Sequence, residues 1–588
     1  MPARNRLPLL LMLLLAALVL VALVAAAAAS ANAWGELFSP PQRQSFSFWL
    51  APPPDYAAAL AKRLVLGGVV GLVTGAWCGL RQRHRVWGTI GGVTTGLVVG
   101  PFAAVCVAWP QAFCPAAVGG LVLAAFGLSV RRWSVPLAIL CLLGVSWAAR
   151  ADDWPQWGGP ARDGVWREDA ILERFPPGGL PVRWRAPVGP GFAGPAVAGG
   201  RVVVMDRTLD EGAPAEVKTQ WNVRDKTAGR ERVLCLDEAT GKTLWTHVYP
   251  CAYSVAYGSG PRATPTIHGD RVYALGAMGD LVCLETATGR VVWQKNFVRD
   301  FAAEVPLYGY ANPPLVDGNR LIVMVGGQGH AVVALDRHTG RELWRAGSAS
   351  EPGYCAPLLV TLAGRRQLVV WHADALAGLE PDSGKLLWSI PHHLVAGMAI
   401  ATPAIEGNRL AVSSQYEGVM MLEFRPQAAE PEVLWKASAG TVPERQWKPA
   451  GFNTTLSTVL LLGGHVYGVS LYGETCCLDG RTGRRVWTTL QPTSGGTVPR
   501  ERWCTLFMVR HGREVVIFNE KGDLILARLA PAGYDEISRV HVLEPDMPSA
   551  GGGGRKVVWS PPALANRCLY VRNNHEILCV SLAQKDKP

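Results

Sequence analysis

Charge is scarce in this 588-residue chain: Asp, Glu, Lys and Arg make up 18% of it, against about a quarter in an average soluble domain. The net charge is +11, yet there is no long basic run. The arginines are scattered over many short segments, which excludes the concentrated footprint of a nucleic-acid binder. There is no CxxCH, so covalent c-type haem is excluded. The 13 cysteines are odd in number and irregular in spacing, which argues against a disulfide framework. No lipobox is present, because Cys141 follows Ala138-Ile139-Leu140 and lacks a small residue just before it. No charged residue falls inside the long apolar runs, so nothing marks an ion or proton path. No kinase, cyclase or other output motif follows the last repeat.

Composition splits the chain near residue 150, and its length requires at least two parts. Residues 1–150 are dominated by Leu, Val, Ala and Gly. Uncharged runs at 7–29, 64–80, 86–109, 113–130 and 133–149 predict about five membrane-spanning helices. Arg4 and Arg6, then Arg81, Arg83 and Arg85, then Arg131 and Arg132 occupy alternate connections. If these clusters are cytoplasmic, everything after Ala149 lies outside the cytoplasm. Lys62 and Arg63 are the one mild exception. Glycines at 67, 71, 75 and 79, then 88, 92, 96 and 100, recur at every fourth position. That spacing allows close helix packing, and it equally reflects the high glycine content of membrane helices. The fifth run also reads as a signal peptide: Arg131-Arg132-Trp133, an apolar stretch, then Ala149-Arg150-Ala151. Cleavage after Ala151 would release the large domain and no cleavage would leave it tethered; the expected location is the cytoplasmic membrane, and in either case the large domain lies on the periplasmic side.

The second part, 152–588, is built on a repeat. An apolar strand ends in an acid, a short polar stretch leads to Thr/Ser-Gly, and Trp follows three residues later. Copies run from Leu236-Asp237 to Trp245, Leu284-Glu285 to Trp293, Leu335-Asp336 to Trp344, Leu379-Glu380 to Trp388 and Leu478-Asp479 to Trp487. Degenerate copies run from Leu422-Glu423 to Trp435 and from Leu526 to Val540. The acid and the Thr suit a turn, and Gly supplies positive φ. Two further strands precede each copy, joined by turns such as His268-Gly269-Asp270 and Glu406-Gly407-Asn408. Four strands per unit at this spacing predict an all-β propeller. The third strands number eight. The last unit has no Trp strand after it, whereas Val182-Arg183-Trp184-Arg185 has no strand before it. Joining the two predicts a closed ring of eight four-stranded blades.

These hairpins resemble the repeat of pyrroloquinoline-quinone (PQQ) dehydrogenase propellers and, more nearly, the PQQ-like repeat proteins of bacterial envelopes. Asp152-Asp153-Trp154-Pro155-Gln156-Trp157-Gly158-Gly159-Pro160 and Gly260-Pro261-Arg262-Ala263-Thr264-Pro265-Thr266 carry the same resemblance. It covers residues 152–588 and is specific for fold, weak for function. For a dehydrogenase it implies a carboxylate base, a Ca²⁺ held by carboxylate and amide oxygens, a Trp floor under the quinone, and adjacent cysteines bridged above it. Cys476-Cys477 is such a pair, but it sits in the third strand of a repeat, where strand packing is the expected role.

Channel candidates for binding are Arg262, Thr264, Asn312, Asn453 and Trp559, with Thr402 and Trp503 beside them. Asn453 suits a metal ligand and Trp559 a stacking platform, and both also suit structural roles at the axis. His392-His393 is not expected to hold metal, because neighbouring strand residues point apart. No base, calcium cage and floor assemble at matching positions. The expected function is therefore a non-catalytic binding or scaffold module for an envelope protein, peptide or cell-wall partner, with no cofactor and no metal. The alternative is a PQQ- and Ca²⁺-dependent dehydrogenase of an alcohol or sugar.

Overall fold

The computed structural model describes residues 152–212, 227–257, 259–437, 452–496, 503–549 and 555–584. The reading of 1–150 as membrane helices lies outside these residues. Among those described, no helix is long and apolar enough to cross a membrane.

Eight antiparallel sheets of four strands each make up the domain. Blade 1 consists of Ala196–Ala198, Arg201–Leu209, Gly229–Asp237 and Thr243–Pro250. Blades 2 to 7 follow at 266–296, 315–346, 358–391, 404–437, 460–489 and 506–541. In the eighth blade Ala563–Ala565, Cys568–Arg572 and Glu576–Ser581 are completed by Val182–Pro187 as the outermost strand. The register runs from Val182 against Val580 to Pro187 against Glu576. First and last segments therefore close the ring by backbone pairing, as the unmatched Trp strand foretold.

The repeat motif is the joint between blades. Asp237 accepts from the backbone N–H (2.9 Å) and hydroxyl (2.6 Å) of Thr240. Asp336 with Thr339 and Asp479 with Thr482 do the same. This fixes a turn in which Gly takes positive φ. Trp184, Trp245, Trp293 and Trp435 each lay an indole on the turn glycine of the next blade: Gly241, Gly289, Gly340 and Gly483. Each indole N–H then donates to a carbonyl of the same turn, that of Glu238, Thr286, Arg337 or Gly480, at 2.7 to 3.1 Å. The degenerate turn of blade 5 lacks this glycine. Trp388 meets Phe424 edge-on there, at 5.3 Å between ring centres, and its N–H turns back to Gln367 of its own blade.

At Gly289 φ is +72°, and an added Cβ would stand 2.5 Å from the Trp245 ring. Gly289→Ala is expected to cost about 2–4 kcal/mol, summing backbone strain and overpacking. Urea unfolding measures it. Adding Trp245→Leu should recover the steric part and leave the strain.

Candidate functional site

Topology decides where a site can form. Each innermost strand is reached by a loop from the outermost strand of the preceding blade. These loops and the turns between second and third strands open at one end of the central channel, and the Asp-Thr-Gly turns lie at the other. Proline often opens the innermost strand, as at Pro195, Pro265, Pro313, Pro357, Pro403 and Pro561. A residue without an N–H leaves no donor stranded at a crowded axis.

The loops enclose a cavity of about 420 Å³ at their end of the channel. Its wall is aromatic. Trp157, Trp503 and Trp559 contribute indoles, and Tyr257, Tyr308, Tyr354 and Tyr416 contribute phenols. Tyr308 stacks tilted on Tyr257 at 5.9 Å and edge-on to Tyr354 at 5.6 Å. Tyr257 and Trp503 hold left-handed backbone, at φ 54° and 60°. Such strain in bulky residues is characteristic of ligand sites.

Among the described residues Arg262 is the one charged side chain in this wall. It donates to the carbonyls of Gly260 and Ala256, each at 2.7 Å, and to that of Tyr257. Its guanidinium lies 5.2 Å from the Phe192 ring centre. Burial lowers its pKa. Among the described residues no carboxylate forms an ion pair with it.

Behind this wall Glu231 is wholly buried. It accepts from the phenols of Tyr249 and Tyr253 and from the backbone N–H of Ala277 at 3.0 Å. Burial raises its pKa against those three bonds. Gly276 leaves room for the carboxylate, since a Cβ there would stand 2.0 Å from Glu231 Oε2.

A second cavity, of about 390 Å³, lies along the innermost strands of blades 4 to 7 and shares Trp157, Thr402, Phe507 and Pro561 with the first. Residues 154–166 thread this part of the channel. Trp154 pairs with Val197, and Trp166 N–H donates to Arg510 at 2.8 Å. Arg162, at φ 55°, is buried and donates to Thr266 Oγ1 and to the carbonyls of Pro313, Pro314 and Pro357. Its pKa is pushed down to about 9 by burial.

The sequence candidates fall in different places. Arg262, Thr402, Trp503 and Trp559 line the first cavity. Trp559 donates its indole N–H to the buried Glu520 at 3.0 Å. Thr264 lines the second cavity, and its buried hydroxyl has no partner. Thr402 Oγ1 is likewise buried and unbonded. Asn312 and Asn453 line neither cavity. Their amides brace loops, donating at 2.8 Å to the carbonyls of Cys355 and Gln415. Cys476 and Cys477 are free and buried in the third strand of blade 6. His393 faces Asp374 at 3.3 Å, while His392 lies beside Trp371. The tyrosines and Arg162 were absent from the sequence reading. A Tyr in several of the loops that precede innermost strands was the available signal.

The described part of this wall offers no ligand set for the quinone's calcium. A hard cation takes six to eight oxygens, largely carboxylate, and among the described residues no Asp or Glu lines the wall. Asn453, proposed from sequence as a ligand, is turned to backbone carbonyls. Among the described residues no group of three or more His, Cys, Asp or Glu could hold a metal ion.

Comparison with known proteins bears on the repeat region. The family described as outer membrane protein assembly factor BamB matches residues 229–489. The factor of that name from Shewanella oneidensis is 24% identical over 255 residues, 41% of this chain and 61% of the relative. That of Burkholderia pseudomallei is 26% identical over 242 residues, 40% and 57% of the two chains. A quinoprotein ethanol dehydrogenase of Pseudomonas aeruginosa is 32% identical over 134 residues, 20% of each chain. The chain thus spans about six-tenths of the assembly factors and a fifth of the dehydrogenase.

Proposed function

We propose that this chain, a PQQ-like β-propeller repeat protein, is a non-catalytic binding module of the bacterial envelope. Its ring lies on the periplasmic side, and residues 1–150 hold it at the cytoplasmic membrane. The observation that carries the reading is the mouth cavity: among the described residues its walls are aromatic, with one cation and no carboxylate. Concave apolar sites with a few placed polar groups bind ligands, whereas a dehydrogenase site needs a base to take the substrate proton. Similarity to proteins named as assembly factors supports a polypeptide of the envelope as partner. The dehydrogenase reading is supported by shorter but more similar matches, such as that to an ethanol dehydrogenase.

The test uses the full-length chain, expected in the membrane fraction and soluble only in detergent. Calorimetric titration with PQQ and Ca²⁺ should give no saturable heat, and a dye-linked alcohol and aldose assay no turnover. Tight PQQ binding with turnover would sink the module reading, and recovery from the soluble fraction would sink the tether.

A further inference from the structure

The mouth cavity sets unspent hydrogen-bond donors on an aromatic wall. The phenols of Tyr308 and Tyr416 and the indole N–H of Trp157 make no hydrogen bond within the described protein, and all three line the wall with Arg262. Among the described lining side chains only Thr402, Gln415 and Thr455 also offer an accepting oxygen outside the tyrosines. The hydroxyls of Thr402 and Thr455 are buried and unpartnered. A complementary ligand supplies acceptors, apolar faces and a negative charge.

Resting on the module reading above, we propose that the cavity binds an acidic, proline-rich segment of a partner polypeptide in extended polyproline conformation. Proline carries no backbone N–H, so consecutive prolines present carbonyl oxygens without donors. Their rings are flat and apolar and pack on Tyr and Trp, and the preformed helix loses little entropy on docking. Tyr416 is 38% exposed at the rim and offers the first platform. Tyr308, Trp157 and Trp559 continue the aromatic surface inward. A carboxylate beside the prolines pairs with Arg262, which has no ion-pair partner among the described residues and donates to three backbone carbonyls. A buried cation gains most from a partner of opposite charge when that partner is also desolvated.

Residues 51–56, Ala-Pro-Pro-Pro-Asp-Tyr, supply a probe of this composition. The acetylated, amidated hexapeptide is titrated into the full-length protein in detergent and followed by tryptophan fluorescence. Saturable binding is expected. Replacing the three prolines by alanine, or the Asp by Asn, should each weaken it about tenfold. Arg262→Gln should weaken the Asp peptide about tenfold and leave the Asn peptide unchanged, which assigns the loss to the ion pair. Because Arg262 also holds its own loop, Tyr416→Ala is measured in parallel. Its ring sits at the rim, so the fold should survive while affinity falls. Equal binding of proline and alanine peptides, or no binding at millimolar concentration, overturns the proposal. If PQQ also fails to bind, the module reading stands and only this ligand class falls. PQQ turnover removes both.

Discussion

Arg572→Met is expected to destabilise the propeller by about 2–4 kcal/mol. Arg572 is wholly buried in the closing blade. It donates to the carbonyls of Met205 (2.6 Å) and Gly189 across the seam with blade 1, and to that of Asn573 at 3.1 Å. The N–H of Gly189 donates in turn to Asp206, which also accepts two bonds from Arg232, at 2.7 and 2.6 Å. The substitution removes a cation whose pKa burial has lowered to about 10, and losing that desolvation is a gain. Against it stand three buried carbonyls left without donors, which methionine cannot satisfy. The carbonyls should win, because each unmet acceptor costs about 1–3 kcal/mol. Arg572→Lys keeps the charge but loses the fork that reaches two chains at once, so an intermediate loss is expected. Urea unfolding followed by far-ultraviolet circular dichroism measures both. A change within error for the methionine variant would show that closure rests on strand pairing alone.

Glu231→Leu should be comparably damaging, at about 3–5 kcal/mol. It strands two phenols and the Ala277 amide in a site closed to water. Glu231→Gln keeps one accepting oxygen, and a phenol can turn to accept from its amide, so about 1 kcal/mol is expected. The two variants also separate a pH effect. Burial holds the Glu231 pKa above the ordinary glutamate value. Between that value and its own, the native protein keeps a proton that the unfolded chain has released. Its contribution is full below the ordinary value and is lost as pH rises through the raised one. The wild-type stability curve minus that of Glu231→Gln should therefore fall with rising pH in that window and be level above it. A level difference throughout would mean that the three hydrogen bonds just offset burial, and a difference rising with pH that they outweigh it.

The ring was legible because its signals are local. The acid, the Thr and the turn Gly meet within six residues, and Trp follows at fixed distance, so one short pattern encodes both a hairpin and the contact to the next blade. Closure was legible as a remainder, since Trp184 had no strand before it and Ile577 to Leu582 had none after. The mouth was legible only in part. Arg262 and Trp559 adjoin prolines that open innermost strands, a position marked in sequence. Tyr308, Tyr354 and Tyr416 come from loops of unlike length and meet only once the blades are arranged in a circle. Asn312 and Asn453 show why an amide near the axis is ambiguous in sequence, since it serves loop carbonyls as readily as a ligand. Arg162 escaped notice because its partners, the carbonyls of Pro313, Pro314 and Pro357, belong to the backbone and leave no trace in side-chain pattern.

Closure by Val182–Pro187 and Glu576–Ser581 also sets an order in time. A chain emerges from its N-terminus, so the strand that seals the ring is made first and waits for nearly the whole domain before its partner exists. The entropy of joining distant ends grows only slowly with the length between them, so the wait adds little to the final cost. It does extend the interval in which unpaired strand edges are open to other chains. A premature stop just short of Glu576 would leave seven complete blades and still no sealed ring. Loss of the last few turns of sequence should therefore be as harmful as loss of a blade from the middle.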